Sequence, residues 1–162
     1  MKNILKPTFT YQSVLDIEVA WLIKQHYRLL FIDVDNTLVA PHQQMISPKQ
    51  KAWIEQVKQA NILIVLLSNN THQRIQAIAK ELDVLGQGSA FKPFSWYYHK
   101  FLKQFKIPTN QVVVIGDQLF TDILGANIRR YDSIYVSPLT NKDLPFTILS
   151  RKIEQRILNR GK

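Results

Sequence analysis

Three runs of consecutive apolar residues constrain the fold of this chain more than any other feature. They predict buried strands at residues 28–34, 62–67 and 111–117. Because the middle of each run is apolar at every position, both faces of the resulting sheet must be covered. The stretches between the runs have helical periodicity, and strands that alternate with helices form a mainly parallel sheet. The sequence therefore predicts an α/β fold.

The rest of the chain supplies helices and two further strands. The predicted helices span residues 13–26, 47–61, 71–82, 92–105 and 118–130. Short extended pieces at 86–91 and 132–139 bring the expected sheet to five strands. A chain of 162 residues fits one core, so residues 1–162 are expected to form a single domain.

Composition restricts the class of protein and of partner. The chain has no cysteine, no apolar stretch of signal-peptide type near its start and no window of ~20 apolar residues that could span a membrane. We therefore expect a cytoplasmic protein without disulfides or thiolate metal sites. The net charge of +9 favours anionic partners such as phosphorylated substrates, acidic lipids or nucleic acid, although it can equally serve solubility alone.

Polar residues follow each apolar run at the point where the strand ends. Asp33 and Asp35 follow the first run, and Ser68 follows the second. Asp117 follows the third, with Asp122 early in the next helix. The carboxyl ends of parallel strands meet at one edge, where ligands bind. Two carboxylates about 4 Å apart repel by roughly 4 kcal/mol at an effective dielectric of about 20, so a cluster needs a cation. An oxygen ligand set without histidine or cysteine suits Mg²⁺.

Neutral donors and a lysine extend this cluster towards phosphate chemistry. Ser68 and Asn69 offer a hydroxyl and an amide to phosphoryl oxygens, and Lys92 adds a point charge just before Pro93. An aspartate nucleophile, a metal ion, a lysine and such donors suit phosphoryl transfer through an aspartyl-phosphate. Taken singly, these residues also have plainer explanations, such as a surface position for Lys92 and a favourable helix N-terminus for Asp122.

Four ordered motifs resemble those of the haloacid dehalogenase superfamily. They are DVDNT at 33–37, LSNN at 67–70, FKP at 91–93 and GDQLFTD at 116–122. Over nearly the whole chain, the sequence resembles more specifically subfamily IIIA and its YqeG-type group. The relatives of this group include mitochondrial phosphatidylglycerophosphate phosphatases. The resemblance implies a Rossmann-like fold of three layers. The segments after the first two motifs are too short for the cap domain that many members carry, so we expect an open site.

The resemblance also implies roles for the residues of these motifs. Asp33 would be the nucleophile that becomes phosphorylated. Asp35 would protonate the leaving alcohol, would then activate water, and would give its backbone carbonyl to Mg²⁺. Lys92 would neutralise the nucleophile and the transferring phosphoryl group. Thr37, Ser68 and Asn69 would bind that group. The metal ion would be held by Asp33, Asp35 and Asp117, and Asp122 would either contribute a further ligand or lie just behind these ligands.

These features predict a Mg²⁺-dependent phosphomonoesterase whose leading substrate, by resemblance, is phosphatidylglycerophosphate. A soluble sugar or nucleotide phosphate is the alternative substrate. A basic RNA- or ribosome-binding module on the same fold is an alternative of another class, although no nucleic-acid-binding motif is present. The basic segment 146–162 predicts an amphipathic helix that either docks on the core or contacts anionic phospholipid at the inner face of a membrane.

An aromatic series accompanies the helix predicted at 92–105. The residues at helical spacing are Phe94, Tyr97, Tyr98, Phe101 and Phe105. This pattern predicts that the five lie in the core, whereas Trp96 falls off their face and is expected at the surface.

Overall fold

The described part of the chain forms one sheet of six parallel strands. The computed structural model describes residues 4–41, 43 and 45–140. The strands are β1 (Phe9–Tyr11), β2 (Leu29–Ile32), β3 (Leu63–Leu67), β4 (Leu85–Gln87), β5 (Val112–Gly116) and β6 (Asp132–Val136). They lie in the order β1-β6-β5-β2-β3-β4, and each neighbouring pair is parallel. The predicted α/β fold is therefore confirmed.

The expected number of five strands is wrong by one, because β1 was missed. This strand has only three residues, none of them fully buried, and so lacks the apolar run by which the other strands were recognised. It pairs with β6 at the sheet edge. The main-chain N–H of Thr8 donates to Ser133 Oγ at 3.2 Å, and that of Ser133 donates to Thr8 Oγ1 at 3.1 Å. Contacts so distant in the chain leave no local signal.

Five α-helices lie between the strands in the part of the chain that the structure describes. They are α1 (Val19–Lys24), α2 (Pro48–Gln59), α3 (His72–Leu82), α4 (Tyr97–Phe105) and α5 (Leu124–Ile128). Helices α2 and α3 agree closely with prediction. The helix predicted at 13–26 is wrong in its first half, where a 3₁₀ turn capped by the Ser13 side chain ends at an extended Ile17 before α1 begins.

Helix α4 begins at Tyr97 and not at residue 92 as predicted. The side chain of Asn69 holds the preceding loop: its Oδ1 accepts from Lys92 N at 2.8 Å, and its Nδ2 donates to Lys92 O at 3.3 Å. Phe91 has a positive φ of 54°. With both main-chain groups of Lys92 bonded to a side chain, the segment is diverted from helical hydrogen bonding.

Two apolar layers cover the faces of the sheet. Strand β2 is buried throughout and alternates between them. Its Leu30 and Ile32 join a cluster with residues of α1, α2 and α3, whereas Leu29 and Phe31 join a cluster with residues of α4 and α5. The sheet therefore lies between two helical layers, as the resemblance implied.

The aromatic series is buried only in part. Tyr98 and Phe101 lie in the core, and Tyr97 and Phe105 pack against it. The prediction was wrong for Phe94, which is exposed because it belongs to the loop before α4 and not to the helix. Trp96 is exposed, as expected.

The described residues contain no cap domain after β2 or after β3. The chain from β3 to α4 holds only α3, β4 and a loop. No helix within the described ranges is long and apolar enough to cross a bilayer. The helix predicted at 146–162 lies outside the described residues.

Candidate active site

The carboxyl ends of three neighbouring strands meet at one edge of the sheet. Strand β2 lies between β3 and β5, and Ile32 pairs with Ile115 of β5. The ladder continues one step further, since Asp33 N donates to Ile115 O at 2.9 Å. Asp33, Ser68 and Asp117 therefore leave adjacent strands side by side.

Asp122 reaches the same edge because the chain folds back after β5. The predicted helix at 118–130 begins instead as a π-helical turn, Leu119–Ile123. Within it, Gln118 N donates to Asp122 Oδ2 at 3.2 Å. A methyl group built on Gly116 would overlap the carboxyl group of Asp122. Glycine at the end of β5 is therefore what lets the Asp122 side chain lie over the strand.

Three buried carboxylates and one buried ammonium form the centre of the site. Carboxylate oxygens of Asp33, Asp117 and Asp122 lie within 4.8 Å of one another. Lys92 Nζ forms one ion pair with Asp33 Oδ1 and another, at 2.7 Å, with Asp122 Oδ1. Thr37 Oγ1 donates to Asp117 Oδ1 at 3.2 Å. All five residues are buried, so these charges act on one another with little screening by water.

Burial and neighbouring charge set the protonation of this centre. Burial raises the pKa of Asp33 well above its ordinary value, and the carboxylates of Asp122 and Asp117 raise it further, while Lys92 opposes both. Burial lowers the pKa of Lys92, but the attraction of Asp122 and Asp33 outweighs that effect and leaves this pKa above its ordinary value. Lys92 is therefore a fixed positive charge at neutral pH.

The donor atoms of this centre fit a divalent cation. One ammonium faces three carboxylates, which leaves negative charge uncompensated when all three are ionised. Among the described residues, the buried Asp33 Oδ2 has no hydrogen-bond partner. A buried carboxylate oxygen without a partner is costly. An oxygen-only ligand set favours a hard ion such as Mg²⁺.

The carboxylate of Asp35 lies outside this centre. Its Oδ1 accepts from Arg74 Nη1 at 2.6 Å. Its Oδ2 accepts from Ser68 Oγ at 3.2 Å and from Asn70 Nδ2 at 3.4 Å. Arg74 also donates from Nη2 to Gln43 O at 3.0 Å, so it joins Asp35 to the segment before α2. Both charged side chains of this pair remain partly exposed.

The predicted phosphate-binding residues have different neighbours in the structure. The hydroxyl of Thr37 contacts the carboxylate of Asp117, and the hydroxyl of Ser68 contacts the carboxylate of Asp35. Each hydroxyl therefore lies beside a different carboxylate. The amide of Asn69 bonds the main chain of Lys92 on both sides. Asn69 therefore fixes the loop that carries the lysine.

Sequence reasoning missed Arg74 and Asn70, which bond Asp35. Arg74 lies in the first turn of α3, immediately after the polar residues that end β3. A cation is unfavourable near a helix N-terminus because the helix dipole is positive there. An arginine in that place could have indicated a nearby carboxylate, although the sequence does not say which.

A family model described as haloacid dehalogenase-like hydrolase matches residues 39–127. The chain is similar to the "Probable phosphatase YqeG" of Bacillus subtilis, with 29% identity over 159 residues, 98% of this chain and 92% of that protein. It is also similar to "Phosphatidylglycerophosphate phosphatase 1, chloroplastic/mitochondrial" of Arabidopsis thaliana, with 25% identity over 98% of this chain. The chain spans only 49% of that longer protein.

Solved structures share the fold. One is the cobalt-bound form of the deoxy-D-mannose-octulosonate 8-phosphate phosphatase from Haemophilus influenzae. It superimposes with a TM-score of 0.55 and 14% identity, over 81% of this chain and 89% of that one. At this identity the likeness concerns the fold alone.

Proposed function

The chain belongs to the haloacid dehalogenase-like hydrolases and is a phosphatase of that family, and we propose that it hydrolyses phosphate monoesters with Mg²⁺ through a phosphorylated Asp33. The observation that carries the proposal is the buried cluster of Asp33, Asp117 and Asp122 around Lys92. A site that stabilises a transferring phosphoryl group needs positive charge placed beforehand.

The first half of the reaction forms an aspartyl-phosphate. An Asp33 oxygen attacks phosphorus, a new O–P bond forms, and the bond from phosphorus to the alcohol oxygen breaks. Protonated Asp35 gives its proton to the departing alkoxide. Lys92 offsets the negative charge of Asp33 and of the phosphoryl oxygens. A Mg²⁺ ion held by Asp33, Asp117, Asp122 and the backbone carbonyl of Asp35 would supply further neutralisation of the phosphoryl charge.

The second half releases phosphate. Asp35, now a carboxylate, takes a proton from water as the water oxygen attacks phosphorus, and the bond to Asp33 breaks. This returns Asp33 as a carboxylate and Asp35 as an acid. The hydrogen bond from Ser68 and the ion pair with Arg74 support this role because they fix the orientation of the Asp35 carboxylate.

Phosphatidylglycerophosphate is the substrate that we favour. The Arabidopsis relative bears that substrate in its name, the site has no cap among the described residues, and the chain carries a net charge of +9. An open site on a protein of net positive charge suits a phosphate ester that stays in a membrane surface.

The proposal is tested with purified full-length chain and p-nitrophenyl phosphate. We expect turnover in Mg²⁺, loss of turnover in EDTA, and no turnover for Asp33→Asn, which keeps the volume of the side chain but removes the nucleophile. The control is Asp83→Asn, because Asp83 is exposed, lies far from the site and has a left-handed backbone that asparagine tolerates. Full activity of folded Asp33→Asn would refute the role of Asp33.

The substrate is tested by presenting phosphatidylglycerophosphate in mixed micelles beside soluble sugar and nucleotide phosphates. We expect the lipid ester to have the highest kcat/KM. A higher value for a soluble ester would replace the substrate while keeping the reaction. Salt-sensitive RNA binding without any phosphatase activity would support the binding-module alternative instead.

A further inference from the structure

The loop of residues 91–96 carries exposed aromatic rings directly beside the lysine of the site. We call it the aromatic loop. Lys92 points inward and is buried, whereas Phe91, Phe94 and Trp96 are 77%, 75% and 60% exposed. Single exposed apolar residues are ordinary, but three large rings within six residues at the mouth of a site are not.

The exposure of these rings does not come from a loosely held loop. Phe94 N donates to Phe91 O at 3.1 Å, which closes a turn. Arg129 donates from Nη1 to Pro93 O and from Nη2 to Ser95 O, both at 2.9 Å. Together with the bonds from Asn69 to Lys92, these contacts fix the inner side of the loop. The aromatic side chains are thus exposed on a loop whose backbone is held by hydrogen bonds.

The surface around the aromatic loop has positive charge and no negative charge from its own stretch of chain. Residues 84–116 contain four lysines and no aspartate or glutamate. One of the four is the buried Lys92, and the other three, Lys100, Lys103 and Lys106, are exposed on or just after α4. Lys100 Nζ lies 5.4 Å from the ring centroid of Trp96. Lys100 therefore places a positive charge directly beside the exposed rings, and Lys103 lies about one helical turn further along α4.

We propose that the aromatic loop and the exposed Lys100, Lys103 and Lys106 form a docking surface for an anionic phospholipid bilayer. Tryptophan, phenylalanine and lysine together are the residues that enter the interface of a bilayer, where rings lie among the acyl chains and ammonium groups meet the headgroup phosphates. Contacts of many cations with phosphates supply most of the affinity for a nucleic acid, whereas this surface has only three exposed lysines beside three exposed rings. Docking there brings the bilayer to the open edge of the sheet.

The surface deepens the proposed function, because the substrate would be a phosphate ester that stays embedded in the bilayer. Lys92 belongs to both regions: its side chain enters the site, and its neighbours in the chain enter the lipid. A headgroup at the membrane surface would then reach Asp33 without leaving the bilayer. The binding itself is independent of catalysis and can be measured without substrate.

The experiment measures cosedimentation of the full chain with vesicles. We compare vesicles of phosphatidylcholine and phosphatidylglycerol in equal parts with vesicles of phosphatidylcholine alone. We expect binding to the anionic vesicles, weakened by salt. The variant Phe94→Ser/Trp96→Ser should bind about tenfold more weakly or worse, and Lys100→Gln and Lys103→Gln should each lose about fivefold. The matched control is Leu15→Ser/Ile23→Ser, which removes two exposed apolar residues on the opposite face of the sheet.

Two further readouts separate this inference from the proposed function. Fluorescence of Trp96 should shift to shorter wavelength on adding anionic vesicles, and Trp96→Phe should remove that shift. Hydrolysis of p-nitrophenyl phosphate should be unchanged in Phe94→Ser/Trp96→Ser, while hydrolysis of the vesicle-borne ester falls. If no variant hydrolyses either ester but vesicle binding behaves as expected, the proposed function fails and the docking surface stands.

Three results would overturn the docking surface. The first is equal vesicle binding by wild type and by Phe94→Ser/Trp96→Ser, with circular dichroism showing that both are folded. The second is equal binding to neutral and anionic vesicles. The third is an oligomer without lipid that Phe94→Ser/Trp96→Ser dissociates, because the rings would then face a second copy of the chain.

Discussion

The carboxylates of Asp33 and Asp35 lie two residues apart in the sequence but have different surroundings in the structure. Asp33 is buried against Asp117 and Asp122 and forms an ion pair with a buried lysine. Asp35 is partly exposed and accepts hydrogen bonds from an arginine, a serine and an asparagine. Asp33 is surrounded by negative charge that needs a cation, whereas Asp35 is surrounded by hydrogen-bond donors that already satisfy its carboxylate.

This contrast teaches how one strand end can serve two chemical roles. Two acids in different surroundings can act as nucleophile and as proton carrier. The buried centre holds its charges away from solvent, whereas the Asp35 carboxylate is partly exposed to solvent, from which a proton or a water molecule can come. The predictions below test whether the two regions are as distinct as their contacts indicate.

The largest combined effect on stability and rate is expected from Lys92→Met, which would disrupt the buried centre without changing the contacts of Asp35. Three clustered carboxylates would lose their cation, so we expect a loss of about 3–5 kcal/mol in unfolding free energy in EDTA and about 10³-fold in kcat. Added Mg²⁺ should restore part of the stability and none of the rate. Thermal and denaturant unfolding measure the first, and steady-state kinetics the second. Lys80→Met, on the exposed side of α3, is the control. Unchanged stability in EDTA would contradict the close cluster.

Asp35→Asn should separate the role of Asp33 as nucleophile from the role of Asp35 as proton carrier. We expect kcat to fall about 10²- to 10⁴-fold because no acid or base remains. With p-nitrophenyl phosphate, whose leaving group needs no proton, attack by Asp33 should still occur. Rapid mixing should then show a burst of one nitrophenolate per protein for Asp35→Asn and none for Asp33→Asn. A missing burst in folded Asp35→Asn would mean that this residue also serves the first step.

The pH dependence of stability should come from the buried region. Between the ordinary pKa of an aspartate, about 4, and the raised pKa of Asp33, the folded chain holds a proton that the unfolded chain has lost. Stability of the metal-free protein should therefore fall as pH rises through this window, by at most about 1.4 kcal/mol per pH unit. Asp33→Asn should remove this contribution. Denaturant unfolding in EDTA across the window measures it, and an identical slope in both proteins would refute it.

The smallest effect is expected from Arg74→Gln, which loosens Asp35 without touching the buried centre. The Arg74–Asp35 pair is partly exposed, so we expect about 1 kcal/mol or less in stability and roughly three- to tenfold in kcat, since Asp35 loses its fixed orientation. Arg74→Lys should recover part of the rate. If Arg74 only supports the segment at Gln43, the burst with p-nitrophenyl phosphate and the following steady rate should both equal those of the wild type.

The sequence by itself determined the class of fold and the edge of the sheet at which the candidate site lies. Continuous apolar runs indicate a parallel sheet that is covered on both faces. The carboxyl ends of parallel strands meet at one edge, whatever the conformation of the loops. Asp33, Ser68 and Asp117 could therefore be brought together from the printed chain. The cluster with Asp122 and Lys92 also followed, because each motif stands at the end of a predicted element.

Only the tertiary structure decided the partners of each group and the surface beside them. Strand β1, the π-helical turn that lays Asp122 over Gly116, and the pairing of Asp35 with Arg74 all depend on contacts between distant residues. Phe94 has the sequence spacing of a core residue. However, the hydrogen bonds between Asn69 and Lys92 hold the preceding segment as a loop, so that helix α4 begins after Phe94 and the Phe94 ring is exposed. The spacing of apolar residues indicates which face of a single helix or strand is suited to burial, whereas actual burial depends on the contacts of that segment with the rest of the structure.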